Sequence, residues 1–121
     1  MSNQKARVPE DLTRMFVEAA NRGDAEAVAE LYELDAVMAY PPGELTRGRD
    51  AIRILWSKAF ARRPHFELED SLPPLAVDEI ALTATLAKDG AGVRVQVVRR
   101  QPDGSWLRLI DTPELEQIPF G

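Results

Sequence analysis

Apolar residues recur every three or four positions in the first half of the chain and every second position in much of the second half. In "VPEDLTRMFVEAANRGD", residues 8–24, Leu12, Met15, Phe16 and Ala19 share one helical stripe. Pro9, Glu10 and Asp11 suit the start of that helix, and Gly23 its end. Asp24 is placed to cap a short second helix whose buried face is read as Val28, Leu31 and Tyr32. A third helix is predicted in "GRDAIRILWSKAFARRP", residues 48–64, with Ile52, Leu55, Trp56, Ala59 and Phe60 on its stripe. Asp50 is its expected cap, Arg62 and Arg63 match the negative C-terminal end, and Pro64 stops it.

From residue 80 the period changes to two. "IALTATLAKDGAGVRVQVVRRQPDGSWLRLID" reads as strands joined by turns at "KDGAG" and "QPDG". The preceding "HFELEDSLPPLAVD" predicts a strand near 66–70 and a proline-interrupted edge near 75–78. Helices segregated from an antiparallel meander mean an α+β domain, here a single one over residues 1–121.

Composition narrows the function classes. The net charge is −5, and no basic stripe interleaved with aromatics is present, which argues against nucleic acid as a partner. With no cysteine, disulfides, thiolate metal sites and thiol nucleophiles are excluded. A single histidine and scattered carboxylates make a transition-metal site an unexpected feature, and no cofactor is expected. His65 follows "RRP" in a connector and reads as a surface residue. "DGAG" joins two strands rather than a strand and a helix, so it is not a phosphate loop. The N-terminus lacks an apolar targeting core and no run reaches membrane-spanning length, so a cytoplasmic protein away from membranes is expected.

The order helix, "NRGD", helix, "LYELDAVMAYPPGELTRGRDAI", helix, then strands ending "SWLRLID" resembles the SnoaL-like and ketosteroid-isomerase-like branch of the nuclear transport factor 2-like superfamily, over about residues 8–113. The resemblance implies a cone-shaped, curved antiparallel sheet wrapped around three N-terminal helices, with a pocket at the open end. It also implies a homodimer formed through the convex sheet face. The isomerases' general base precedes the proline of the turn after the second helix; here that position is Tyr40, before Pro41. Their helix-one tyrosine corresponds to Phe16, which cannot donate a hydrogen bond, and their partner acid falls at Gln96. Steroid isomerisation by that mechanism is therefore excluded.

Strict alternation places Met38 and Tyr40 on one face, Arg94, Gln96 and Val98 on another, and Leu107, Leu109 and Asp111 on a third. Matching the strands to the isomerase pattern turns all three faces into the cone. There they join Phe16, Trp56 and Phe60 in a mostly apolar small-molecule site. Asp111 is the expected acid or base, and Tyr40 and Gln96 are expected donors to a ligand oxygen; Arg94 either stands beside Asp111 in the pocket or pairs only with a surface acid. Tyr40 could equally be a packing tyrosine, and Asp111 a turn cap before Thr112 and Pro113. The opposite faces carry Val93, Val95, Val97, Trp106 and Ile110, the expected dimer surface. Three functions remain open on these residues: an isomerase, cyclase or hydrolase, a ligand-binding accessory protein, or a dimerisation domain.

Overall fold

Helix α1 spans Asp11–Asn21 and buries Leu12, Met15, Ala19 and Ala20, in line with its apolar stripe. In the computed structural model, which describes residues 4–88 and 92–113, it is followed by α2 (Ala25–Ala29), β1 (Tyr32–Met38), β2 (Thr46–Arg47) and α3 (Arg49–Phe60). Strands β3 (Leu75–Val77), β4 (Ile80–Leu86), β5 (Val93–Arg100) and β6 (Trp106–Thr112) complete the fold. The Asp24 carboxylate accepts from the Ala27 N–H at 3.0 Å and caps α2 as expected. Residues 89–91, within the predicted "KDGAG" turn, lie outside the described residues.

Two helix boundaries differ from the sequence reading. Tyr32 is not on the face of α2; it opens β1, and the Arg49 guanidinium takes its carbonyl through Nε at 2.9 Å and a terminal nitrogen at 2.6 Å. The residue preceding α3 is Gly48 rather than Asp50, at φ +90°, with its carbonyl accepting from the Ile52 N–H. Asp50 stands in the first turn, where its charge still favours the helix N-terminus.

The six strands form one sheet in the order β2-β1-β6-β5-β4-β3. All neighbours are antiparallel except β1 and β6, which run parallel. The predicted strand at 66–70 does not form. The Asn21 side chain holds Phe66 by both its N–H and its carbonyl, at 2.8 and 2.9 Å, so that backbone does not enter a ladder. Pairing with β4 begins only at Asp70–Leu72 and is then interrupted by Pro73 and Pro74, which lack N–H donors. The core lies between the helices and the inner sheet face, where Leu12, Val28, Tyr32, Met38, Ile52 and Val98 are fully buried. Trp106, expected on the outer face, is buried there too.

Candidate functional site

β5 keeps strict alternation, and its inward residues are Arg94, Gln96 and Val98, as predicted. β6 does not. Val97 pairs with Ile110 while the adjacent Val98 pairs with Arg108, so Leu109 is an extra residue, a β-bulge. The bulge changes which residues share a face. Arg108 and Asp111, three apart, both point inward and are buried, at 5% and 3% exposure. Leu107 and Leu109 do not share that face. A period of two cannot foresee such a shift.

Around Asp111 the structure assembles a polar chain across the inner face. Tyr32 donates its hydroxyl to one carboxylate oxygen at 2.6 Å, and an Arg108 terminal nitrogen lies 3.7 Å from the same oxygen. The other oxygen faces the Gln96 amide nitrogen at 3.4 Å, and the Gln96 carbonyl accepts from the Thr83 hydroxyl at 2.8 Å. Burial, then the Asp111 charge, push the Tyr32 hydroxyl well above its ordinary pKa, so it serves as a donor. Burial works against the Arg108 charge, but Tyr32 and Asp111 outweigh it and hold the guanidinium above its ordinary value. The Arg108 guanidinium carbon also lies 5.4 Å from the Phe16 ring centre and 5.7 Å from that of Tyr32.

Gln96, Arg108 and Asp111 of this cluster form the floor of a cavity of about 820 Å³. Its walls combine aromatic side chains with charged ones, among them Lys58, Arg62, Glu67 and Lys88. Phe16 meets Trp56 edge-on at 5.2 Å and Phe66 at 5.5 Å, and Tyr40 lies parallel to Trp56 at 6.4 Å. Gln96, Arg94, Arg108 and Asp111 also line it, together with Glu69. Of the predicted site residues, Asp111, Tyr40, Gln96, Arg94, Trp56 and Phe16 meet there. Met38, Phe60 and Leu109 are not among the lining residues. Met38 is packed beneath, with its sulfur 3.9 Å from the Tyr32 hydroxyl, and Phe60 stacks behind Trp56 at 5.5 Å. Leu109 is displaced by the bulge.

Of the two readings of Arg94, pairing with a different acid is the one observed. Arg94 forks onto Glu69 at 2.9 and 3.1 Å and donates to the Pro113 carbonyl, so a second carboxylate, Glu69, belongs to the cavity wall. Sequence reasoning missed Tyr32, Arg108, Glu69 and Phe66. Arg108 was hidden by the bulge, and Tyr32 by its assignment to the preceding helix. Gln96 is committed to Asp111 and Thr83, which makes it a positioning group rather than a spare donor.

A second groove, of about 960 Å³, lies between α1, α2 and the 101–105 turn. It is lined by charges of both signs, including Lys5, Glu18, Arg22 and Asp103, and lacks a comparable buried polar cluster. Among the described residues, no group of three or more histidine or acidic side chains could hold a metal, and no helix is long and apolar enough to cross a membrane.

The SnoaL-like domain profile matches residues 13–108, from α1 to the Arg108 of the cluster. The chain is a member of the SnoaL-like domain family. None of the curated proteins matches it. Solved structures with the same nuclear transport factor 2-like, cystatin-like fold include a ketosteroid isomerase-like protein from Erwinia carotovora atroseptica, at TM-score 0.66 and 18% identity over 85% of this chain and 89% of that one. A domain of unknown function with a cystatin-like fold from Nostoc punctiforme superposes at 0.71 with 19% identity, covering 84% and 71%. A protein named as a calcium/calmodulin-dependent protein kinase type II association domain, from Thiobacillus denitrificans, superposes at 0.68 with 17% identity, covering 91% and 98%. At these identities the likeness shows the fold alone. The curved, mostly antiparallel sheet around three helices is that fold.

Proposed function

We propose that this SnoaL-like domain binds a small, largely apolar organic molecule in the cone and moves a proton on it with Asp111, using its own side chains. The observation that carries this reading is a buried carboxylate at the floor of an aromatic cavity, with one oxygen held by Tyr32 at 2.6 Å and the other met only at 3.4 Å. The first contact fixes the group, and the second leaves a lone pair open to a ligand. Isomerisation, cyclisation and hydration all need such a proton carrier.

A thermal-shift screen of enones, lactones, epoxides and polyketide-like aromatics, followed by turnover assays on the hits, tests it. Asp111→Asn is nearly isosteric, so the hits should still bind while turnover falls at least about a hundredfold. Full turnover by the Asn variant would remove Asp111 from the chemistry. A screen without a single hit would count against the cavity itself. A second reading, a ligand-binding protein without turnover, is favoured by one fact: Tyr32, Gln96 and Arg108 all surround Asp111 as a purely structural buried cluster would.

The outer sheet face supports self-association. Leu75, Leu82, Val97, Ile110 and Val37 stand in register across five strands, and Leu75 is 74% exposed. An apolar row of this kind in a lone chain would be unusual, and a second copy covering it gives a homodimer. One structural neighbour is itself named as an association domain. Leu82→Lys, at a position 44% exposed, should leave folding intact and convert a dimer mass to a monomer mass in light scattering. A wild-type monomer at micromolar concentration would refute the dimer.

A further inference from the structure

The charges that line the cone divide into two sets. Inside, they cancel in pairs: Arg94 forks onto Glu69 at 2.9 and 3.1 Å, and Arg108 faces Asp111 at 3.7 Å. At the mouth they do not cancel. Lys58 and Arg62, from the C-terminal end of α3, and Lys88, which follows β4, line the same cavity yet are exposed, and the one exposed acid beside them in the lining is Glu67. Among the described residues, none of these three cations has an ion pair or a side-chain hydrogen bond. Three positive charges against one negative leave the mouth at +2, in a chain whose net charge is −5. The last carbonyls of α3 offset only about half a charge of that excess. A cleft edged by one sign of charge focuses its field on the opening and raises the local concentration of ions of the other sign.

The same division says where an anion sits. A carboxylate driven to the floor would lose its water and find Arg108 already committed to Asp111. Held at the mouth, it keeps much of its hydration while its apolar body fills the aromatic part of the cavity. We infer that the cone takes an amphipathic anion, an apolar body ending in a carboxylate-type group, and that Lys58, Arg62 and Lys88 hold the charged end at the mouth. The inference rests on the cavity reading above and adds the polar end of its ligand. It also orients that ligand, with the end remote from the charge directed toward Asp111.

The test uses three probes with one body: 4-(2-naphthyl)butanoate, its primary amide, and 4-(2-naphthyl)butylamine. Each is measured by equilibrium dialysis against the whole protein at about 20 mM and about 300 mM salt. At low salt the butanoate should bind about three- to tenfold tighter than the amide, the gain expected of two or three exposed charge pairs, and the amine should bind most weakly. At the higher salt the advantage should shrink to about twofold or less, because exposed charges are screened. Lys58→Gln, Arg62→Gln and Lys88→Gln combined should abolish the butanoate advantage and leave amide binding nearly unchanged. A control combining Lys5→Gln, Arg22→Gln and Arg47→Gln makes the same change in net charge at residues outside the cavity lining and should keep the advantage. Equal binding of butanoate and amide, tightest binding of the amine, an advantage that survives in the mouth variant, or one lost equally in the control would each overturn the assignment while the cavity reading stands. Binding of none of the probes would overturn the cavity reading, and the anionic end with it.

Discussion

β5 and β6 lie side by side, yet alternation describes one and fails on the other. On β5, Arg94, Gln96 and Val98 face inward at a regular period of two. On β6, the extra residue Leu109 brings Arg108 and Asp111 to the same side. The regular strand supplies Gln96 and carries Arg94 to the cavity wall, where Arg94 pairs with Glu69. The irregular strand supplies the buried ion pair. Because Leu109 is bulged out of the ladder, two groups three positions apart, which strict alternation would separate, keep to one face, the kind of local re-aiming that bulges provide near functional sites.

A matched pair of substitutions on the two strands should break the comparison most severely. Arg108→Met leaves Asp111 buried without its cation and should cost about 3–5 kcal/mol. Arg94→Met removes a partly exposed pair with Glu69 and should cost about 1 kcal/mol or less. Urea denaturation of both variants measures the difference. Equal losses would mean that the Arg108 pair is no more deeply committed than the one at the cavity wall.

What could be read from the sequence follows the same division. The helices α1 and α3, the β4–β5–β6 order and the inward face of β5 were legible because each rests on a sustained hydrophobic period. So was Asp111 as an internal carboxylate. Arg108 and Tyr32 were not. One depends on an insertion that leaves no composition signal, the other on a helix that stops after five residues. The strand at 66–70 failed for a related reason: a side chain 45 positions earlier, Asn21, claims the backbone that a ladder would have used. Local pattern predicts what neighbours in the chain decide and misses what distant side chains or single-residue slips decide.

The smallest effect sharpens the contrast from the outer end of β5. Arg99 pairs in register with Leu107 of β6, and its guanidinium reaches past that strand to Glu33 of β1, with Nε at 2.8 Å. The Arg99 hydrogen bonds hold the Glu33 carboxyl below its ordinary pKa of 4.5; burial opposes this, and the Gln101 amide at 2.9 Å adds to it. A depressed folded-state value means that the contribution to stability is complete above about 4.5 and is lost as pH falls through the lower folded value. Arg99 is nearly half exposed, so water screens the pair, and its worth at pH 7 should stay below about 1 kcal/mol. Glu33→Gln should therefore be slightly less stable than wild type at pH 7, with the gap narrowing as pH falls below about 4.5, as read from urea midpoints across that range. Curves that run parallel from pH 7 to pH 3 would show that Glu33 gains nothing from Arg99. A gap as large as that of Arg108→Met would show that an ion pair on the outer face can matter as much as one buried beneath the cavity.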